Sequence, residues 1–237
     1  MHNHQLLKLF GSNQSYADKV LAIANNISYW KLDESSGTNA DDSNKTNNYD
    51  ATYNGVTLAQ IAGASAGMGL APLWDGINDK TTAPSMANFS PTAGTISLWA
   101  KVSAVGRWTD GASRALCWFG VNTNNRFTIT KHTVNNQLRY VSLVNGTTTA
   151  YNYTTSAPTG WFHAAYSWSN TGNFVAYFNG SQVDSQAWAG TWSAGTNTGE
   201  IGALTASGVW WGGYLQHVSI YSRQLTASEI LTLATAI

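Results

Sequence analysis

Five tryptophans are the residues whose type and surroundings most directly suggest chemistry. Trp108, Trp188, Trp192, Trp210 and Trp211 sit among Gly, Ser and Thr, in segments that read as turns or strand ends. An exposed indole beside amides and hydroxyls stacks on the apolar face of a sugar, so these five are candidates for a glycan-binding or partner-binding surface. The alternative for the same five is that they cap the ends of the fold or bury in a subunit interface. Other reactive side chains are scattered. His2, His4, His132, His163 and His217 form no His-x-x-x-His or His-Glu pair of the kind that holds a metal. His163 lies in an apolar run and reads as buried and hydrogen-bonded, and His132 and His217 read as sheet residues. Neither a Gly-x-Ser-x-Gly elbow nor a phosphate-binding glycine loop occurs. The lone Cys117, inside Ala115-Leu116-Cys117-Trp118-Phe119, excludes an internal disulfide and a cysteine-based zinc site, and reads as a small buried hydrophobe.

Charge is scarce. Of 237 residues only 10% are Asp, Glu, Lys or Arg, against about a quarter in an average chain, and the 12 basic residues offset the 12 acidic ones. Without clustered Lys and Arg there is no electrostatic footprint for nucleic acid or an anionic membrane. Aromatic residues reach 12%, which favours a packed core over disorder. The apolar run within residues 1–10 is too short and interrupted for a secretory h-region. No segment approaches a membrane span, so a soluble chain without a cleaved signal or membrane insertion is expected.

These side chains need elements to position them. Over residues 15–25, Tyr16, Val20 and Ile23 fall at helical spacing with Ser15 as N-cap, which predicts a short helix. From residue 27 the apolar period becomes two, and turn residues interrupt it about every ten positions. Strands are predicted at 27–32, 51–53, 95–102, 115–120, 126–132, 137–144, 148–153, 161–168, 174–178, 182–188, 200–204 and 213–221. Asn145-Gly146 and Asn179-Gly180 tolerate the positive φ of type I′ turns, so the strands flanking each should be antiparallel neighbours. Thr226-Ala227-Ser228-Glu229 is a capping box opening a last short helix. Residues 59–69 are small and read as a long surface loop. These elements make an all-β sandwich of two antiparallel sheets in one domain, 26–237, preceded by an arm, 1–25, that carries the short helix.

Several stretches resemble one known pattern in order. Ser28-Tyr29-Trp30-Lys31-Leu32-Asp33-Glu34-Ser35-Ser36-Gly37-Thr38, then Asp42-Ser43 and Asp50-Ala51-Thr52-Tyr53-Asn54-Gly55-Val56, resemble the opening of laminin G-like, concanavalin A-like jelly-roll domains. Leu73-Trp74-Asp75-Gly76-Ile77-Asn78-Asp79 is similar to their Phe-Asp-Gly-x-Asn-Asp segment, and Thr95-Ile96-Ser97-Leu98-Trp99-Ala100-Lys101 to their first long inner strand. Gly160-Trp161-Phe162-His163-Ala164-Ala165-Tyr166-Ser167-Trp168 with Tyr177-Phe178-Asn179-Gly180 resembles their paired strands. Ile220-Tyr221-Ser222-Arg223-Gln224-Leu225-Thr226-Ala227-Ser228-Glu229-Ile230 resembles the closing strand and helix. The resemblance covers about residues 27–233 and implies a jelly-roll sandwich. The helical lead-in Tyr16 to Leu21 before Tyr29-Trp30 is similar to versions of this domain among tailed-phage structural proteins.

The resemblance implies roles. Trp30, Trp74, Trp99, Trp161 and Trp168, in patterned strands or at core positions of such domains, are expected to pack. Glycoside hydrolases of this superfamily carry Glu-x-Asp-x-x-Glu on one strand, so that nucleophile and acid flank the scissile bond. Here Glu34, Glu200 and Glu229 are the only glutamates, Glu229 belongs to the capping box, and no acid pair falls at i, i+2 on a long predicted strand, so an enzyme is not expected. Many relatives bind Ca²⁺ at a sandwich edge, which would draw on Asp41, Asp42 and Asp50. Where they have Gly-x-Leu-Asp-Glu-Val, this chain has Gly213-Tyr214-Leu215-Gln216-His217-Val218. Gln216 replaces a carboxylate, so weak calcium or none is expected, the alternative being an ion-free Asx-turn loop. The expected function is a non-enzymatic recognition or decoration module at a virion surface, or else extracellular or at a cell surface. It would bind glycans or neighbouring virion subunits and could self-associate through the arm. The rival expectations are a purely structural decoration and a glycoside hydrolase of the same fold.

Overall fold

The computed structural model describes residues 14–134, 136–188, 190–192 and 195–235. The period-two segments become β1 (Asn26–Trp30), β2 (Asn39–Ala40), β3 (Ala51–Asn54), β4 (Thr57–Ala62), β5 (Leu70–Asp75), β6 (Lys80–Ala83), β7 (Ala93–Val102), β8 (Arg114–Asn122) and β9 (Asn125–Lys131). They continue as β10 (Gln137–Val144), β11 (Thr147–Thr154), β12 (Phe162–Ser169), β13 (Gly172–Phe178), β14 (Ser181–Trp188), β15 (Thr198–Ile201), β16 (Ala203–Leu204), β17 (Val209–Trp210) and β18 (Gly212–Tyr221). Two helices, α1 (Tyr16–Ala22) and α2 (Ala227–Ala234), flank them. One antiparallel sheet orders β14-β13-β12-β7-β18-β5-β4 with β1 also on β18; the other orders β11-β10-β9-β8-β15-β6-β3-β2. The two stack face to face as a jelly-roll-like sandwich.

Alternation decides which side chains meet. Ile96, Leu98, Ala100 and Val102 of β7 join Phe127 and Ile129 of β9, Leu138 and Tyr140 of β10, and Tyr166 and Trp168 of β12 in the inter-sheet core. Phe127 and Trp168 stack with ring centroids 3.9 Å apart. Both Asn-Gly hairpins form as predicted. Asn145 and Gly146 have φ of 50 and 80, Asn179 and Gly180 of 49 and 79, joining β10 to β11 and β13 to β14. The region read as a loop at 59–69 is corrected: β4 pairs with β5 at the sheet edge, and Met68 is fully buried. Its small residues are those of a bulged edge strand, with Ala59 at φ 54.

A second core covers the outer face of the β7-bearing sheet. Tyr16, Val20 and Ile23 of the α1 segment and Ile230 and Leu233 of α2 pack on Tyr29, Trp99, Val175, Tyr177 and Tyr221. The Trp99 indole donates to Tyr16 Oη (3.0 Å), Tyr16 Oη donates to the Leu233 carbonyl (2.6 Å), and Tyr221 Oη donates to the Val20 carbonyl (3.1 Å). Ser15 and Asp18 close a capping box at α1, as Thr226 and Glu229 do at α2. Within the stretch expected as an arm, α1 packs into this second core. The rest of the expected arm, residues 1–13, lies outside the described residues.

Two histidines are buried on this face. His163 Nε2 pairs with Ser97 Oγ at 2.7 Å. His217 accepts at Nδ1 from Tyr29 Oη (2.6 Å) and donates from Nε2 to the Met68 carbonyl (3.2 Å), a tautomer forced by the carbonyl's lack of a proton. It occupies a β18 bulge at φ 52, where the register slips between Gln216 and Ser219. Burial pushes both imidazoles from 6.5 down to about 3. A depressed folded pKa means that the unfolded chain takes up the proton first. The stabilisation is whole above pH 6.5 and is lost as pH falls towards 3. Denaturation at pH 5 against pH 7 should show a loss of about 4 kcal/mol from the pair. A midpoint that does not move between these pH values would contradict it.

Candidate functional site

Most of the expected tryptophan surface is interior. Trp108 and Trp211 are fully buried, Trp188 and Trp192 are each 6% exposed, and all four belong to the inter-sheet core. Trp108 meets Phe162 edge-on at 5.7 Å, and Trp192 lies 5.0 Å from Phe127. Gly, Ser and Thr neighbours mark turns, and these turns fold their rings inward. Of the five, only Trp210, on β17, is partly exposed. Among those expected to pack, Trp30, Trp74, Trp99 and Trp168 are buried, whereas Trp161 is partly exposed and donates to the Ala62 carbonyl at 3.2 Å.

The residues expected to hold calcium do not come together as a site. Asp42 is fully buried, and its carboxylate accepts the backbone amides of Tyr29 (2.8 Å), Asn44 (2.9 Å) and Tyr49 (2.9 Å). Asp50 accepts the Asp42 amide (2.8 Å), and Asp41 is paired with Lys45. Gln216 is buried on β18 opposite Trp99 and donates to the Met68 carbonyl at 3.0 Å. No group of three or more His, Cys, Asp or Glu side chains that could hold a metal ion occurs among the described residues. In this arrangement Asp42 is a loop-fastening carboxylate. Asp42→Ala is expected to cost about 3 kcal/mol, since the amides of buried Tyr29 and of partly buried Asn44 and Tyr49 lose their acceptor. Calcium titration calorimetry on the parent protein should give no heat; a heat abolished by Asp42→Ala would restore the metal site.

The face that is open is the outer side of the β8-bearing sheet. Cys117 and Phe119 of β8 point into the core, and Trp118 between them points out. Register then lays one outward row across the sheet, Thr82, Glu200, Trp118, Thr128 and Val141. Beside it Arg126 stands opposite Leu143, and Thr130 opposite Arg139. The β16–β17 ribbon forms a wall, with Leu204, Ser207 and Val209 over a depression of about 300 Å³ that Arg126, Thr128, Arg139 and Val141 also line. A second depression of about 220 Å³, lined by Trp118, Asn122, Thr123 and Ala206, shares Arg126 and Leu204 with the first, so the two form one groove.

Glu200 fastens this groove. Its carboxylate accepts the Trp118 indole (2.7 Å), the Thr205 amide (2.8 Å) and hydroxyl (2.5 Å), and the Lys80 ammonium (2.9 Å). Against the upward push of burial, these donors hold it below the usual carboxylate range. One buried acid thereby fixes both the aromatic floor and the turn of the wall. With its oxygens engaged by four donors, it is built to hold structure rather than to move a proton. Gly202, at φ 81, makes the turn from β15 into the wall, and a Cβ there would lie 2.2 Å from the Trp74 ring. Cys117 is fully buried, and burial pushes its thiol up to about 12.

Sequence reasoning passed over Trp118, Glu200, Arg126 and Arg139 as a group. The available signal was alternation: Trp118 lies between Cys117 and Phe119, which face one way.

The profile of the Concanavalin A-like lectin/glucanases superfamily matches residues 75–231. No curated protein matches the sequence. Among solved structures, domain 4 of AbnA, a GH43 extracellular arabinanase from Geobacillus stearothermophilus in complex with arabinotriose, superposes with a TM-score of 0.64 at 21% identity, over 89% of this chain and 98% of that one. The receptor binding domain of botulinum neurotoxin C/D mosaic serotype gives 0.64 at 12% identity, over 89% and 51%. The binding domain of botulinum neurotoxin DC in complex with SialylT gives 0.65 at 14%, over 89% and 50%. The chain spans about half the length of these toxin domains. At such identities the likeness is one of fold.

Proposed function

The chain belongs to the concanavalin A-like lectin/glucanases superfamily, and from that premise we propose that it is a non-enzymatic recognition module that binds an oligosaccharide in the groove over Trp118. The reading rests on a partly exposed tryptophan whose indole N–H is tied to buried Glu200, at one end of a groove that also holds Arg126, Thr128 and Arg139. Apolar surface with a few directed polar groups is what an oriented small ligand needs. The AbnA domain, matched over nearly its whole length, was solved with arabinotriose, and that supports a sugar as the ligand class. Binding without hydrolysis is supported by the engagement of Glu200, the one glutamate near the groove, in fixing its parts. A setting on a virion surface, or otherwise outside the cell, is part of the proposal. It is supported by the order of α1 before Tyr29-Trp30 that resembles phage structural domains, and mass spectrometry of purified particles tests it. A glycan array probed with the parent protein and with Trp118→Ala tests the function. Binding by the parent that the variant loses is the expected result, and an array silent for the parent would overturn it.

A further inference from the structure

The groove carries two cations that the ion pairs of the described residues do not use. The chain is neutral overall, with 12 basic and 12 acidic residues. Six ion pairs occur among the described residues: Lys31–Asp33, Lys45–Asp41, Lys80–Glu200, Arg114–Asp110, Lys131–Asp110 and Arg223–Glu229. Arg126 and Arg139 are in none of them, and both line the groove, whose walls contain no Asp or Glu. Two cations therefore face one depression without a counter-charge.

Their hydrogen-bonding capacity is also unspent. Arg126 donates from Nη1 to the Thr123 carbonyl, but the Nε atoms of Arg126 and Arg139 are both buried without a partner. The hydroxyl of Thr128 lies between them, on a residue only 2% exposed, and it too is without a partner. Burial also holds the Arg126 guanidinium below the usual arginine range, which a neighbouring anion would reverse.

Register sets the spacing. Arg126 is level with Leu143, Thr128 with Val141, and Arg139 with Thr130. The two arginines thus stand four residues apart along neighbouring strands, about 13 Å, with Thr128 midway. Arg126 is turned towards the β8–β9 turn by its bond to the Thr123 carbonyl, on the Trp118 side, and Arg139 lines the depression towards the other end. A guanidinium pairs with a planar carboxylate or a sulfate through two parallel N–H donors, which a neutral hydroxyl cannot match.

We infer that the groove selects an acidic oligosaccharide, one whose anionic groups meet Arg126 and Arg139 while a neighbouring sugar ring rests on Trp118. The inference rests on the reading of the groove as a glycan site and names the class of glycan. Its test is an array carrying uronic-acid, sialylated and sulfated oligosaccharides beside neutral counterparts of equal length, followed by calorimetry on the best anionic ligand and its neutral partner. The expected result is an anionic ligand bound about tenfold or more tightly than its neutral counterpart, a preference that shrinks as NaCl rises from 50 to 500 mM. Arg139→Gln should weaken the anionic ligand about tenfold. Arg139→Lys should keep part of the preference, and both variants should keep the parent melting temperature within a few degrees. Whether a carboxylate or a sulfate is preferred is read from the separate arms. Neutral glycans bound as tightly as acidic ones, through Trp118, would overturn the inference and leave the glycan site standing. Silence of every arm would overturn both.

Discussion

Trp118→Ala is expected to abolish glycan binding, by on the order of 100-fold, while costing the fold only about 1 to 3 kcal/mol, for the donor that buried Glu200 loses. The ring is partly exposed on the outer face of the β8-bearing sheet, so truncating it opens no cavity in the core. What it removes is the flat apolar surface on which a sugar ring would rest, and a loss of about 3 kcal/mol of binding is the usual scale for an aromatic anchor. Glu200 offers the complementary experiment. Glu200→Gln keeps the shape but loses the charge opposite Lys80, and it presents an amide where Thr205 and Trp118 now donate to a carboxylate. It should weaken binding through a loosened ring and wall, and it should also lower the melting temperature. Trp118→Ala should weaken binding more and lower the melting temperature less, because it removes one of the four donors to Glu200 rather than the charge itself. Isothermal titration paired with thermal denaturation separates the two. Equal loss of stability in both variants would show that Trp118 is a core residue rather than a platform.

Deleting residues 14–25 is the second large effect, and it acts on stability. Three buried side chains leave with the segment, Tyr16, Val20 and Ile23, worth about 5 to 9 kcal/mol at the usual scale for burying such groups. Tyr29, Trp99 and Tyr221 on the sheet beneath would be uncovered, and the Trp99 indole would lose its acceptor. A domain's whole stability is about 5 to 15 kcal/mol, so the product 26–237 should be aggregated or molten. Tyr16→Phe is the milder test. It removes the oxygen that accepts from Trp99 and donates to Leu233, at a cost of about 1 to 3 kcal/mol. A product 26–237 with an unchanged denaturation midpoint would return α1 to the status of a dispensable arm.

Much of the sandwich was legible because its signals are local. Asn-Gly at 145–146 and 179–180 demands positive φ, and alternation along β7, β10, β12 and β18 separates core from face. The capping box at Thr226 marks α2. The strands that escaped notice have weak local signals: β5 contains Pro72, β4 is a bulged edge strand of small residues, and β2 and β17 are two residues long. Their partners decide them. The site was less legible for the same reason. Composition around Trp108, Trp188, Trp192 and Trp211 indicates turns, but whether a turn's ring points to solvent or into the core depends on which strands it bridges. Trp118 shows the converse. An apolar run hides it, and only its pairing with Glu200 on one side and Thr128 on the other assigns its face. Asp42 and Asp50 were correctly seen as a polar cluster, yet what they bind is backbone amide.

Labelling the tryptophans with ¹⁵N and titrating the protein with its best array ligand, while following the indole N–H signals, tests the central claim most directly. The signal assigned to Trp118, by its disappearance in Trp118→Ala, should shift saturably, with the signals of the buried Trp188 and Trp192 unmoved. A Trp118 signal that stays fixed while that of Trp210 or Trp188 shifts would contradict the assignment of the groove as the binding site.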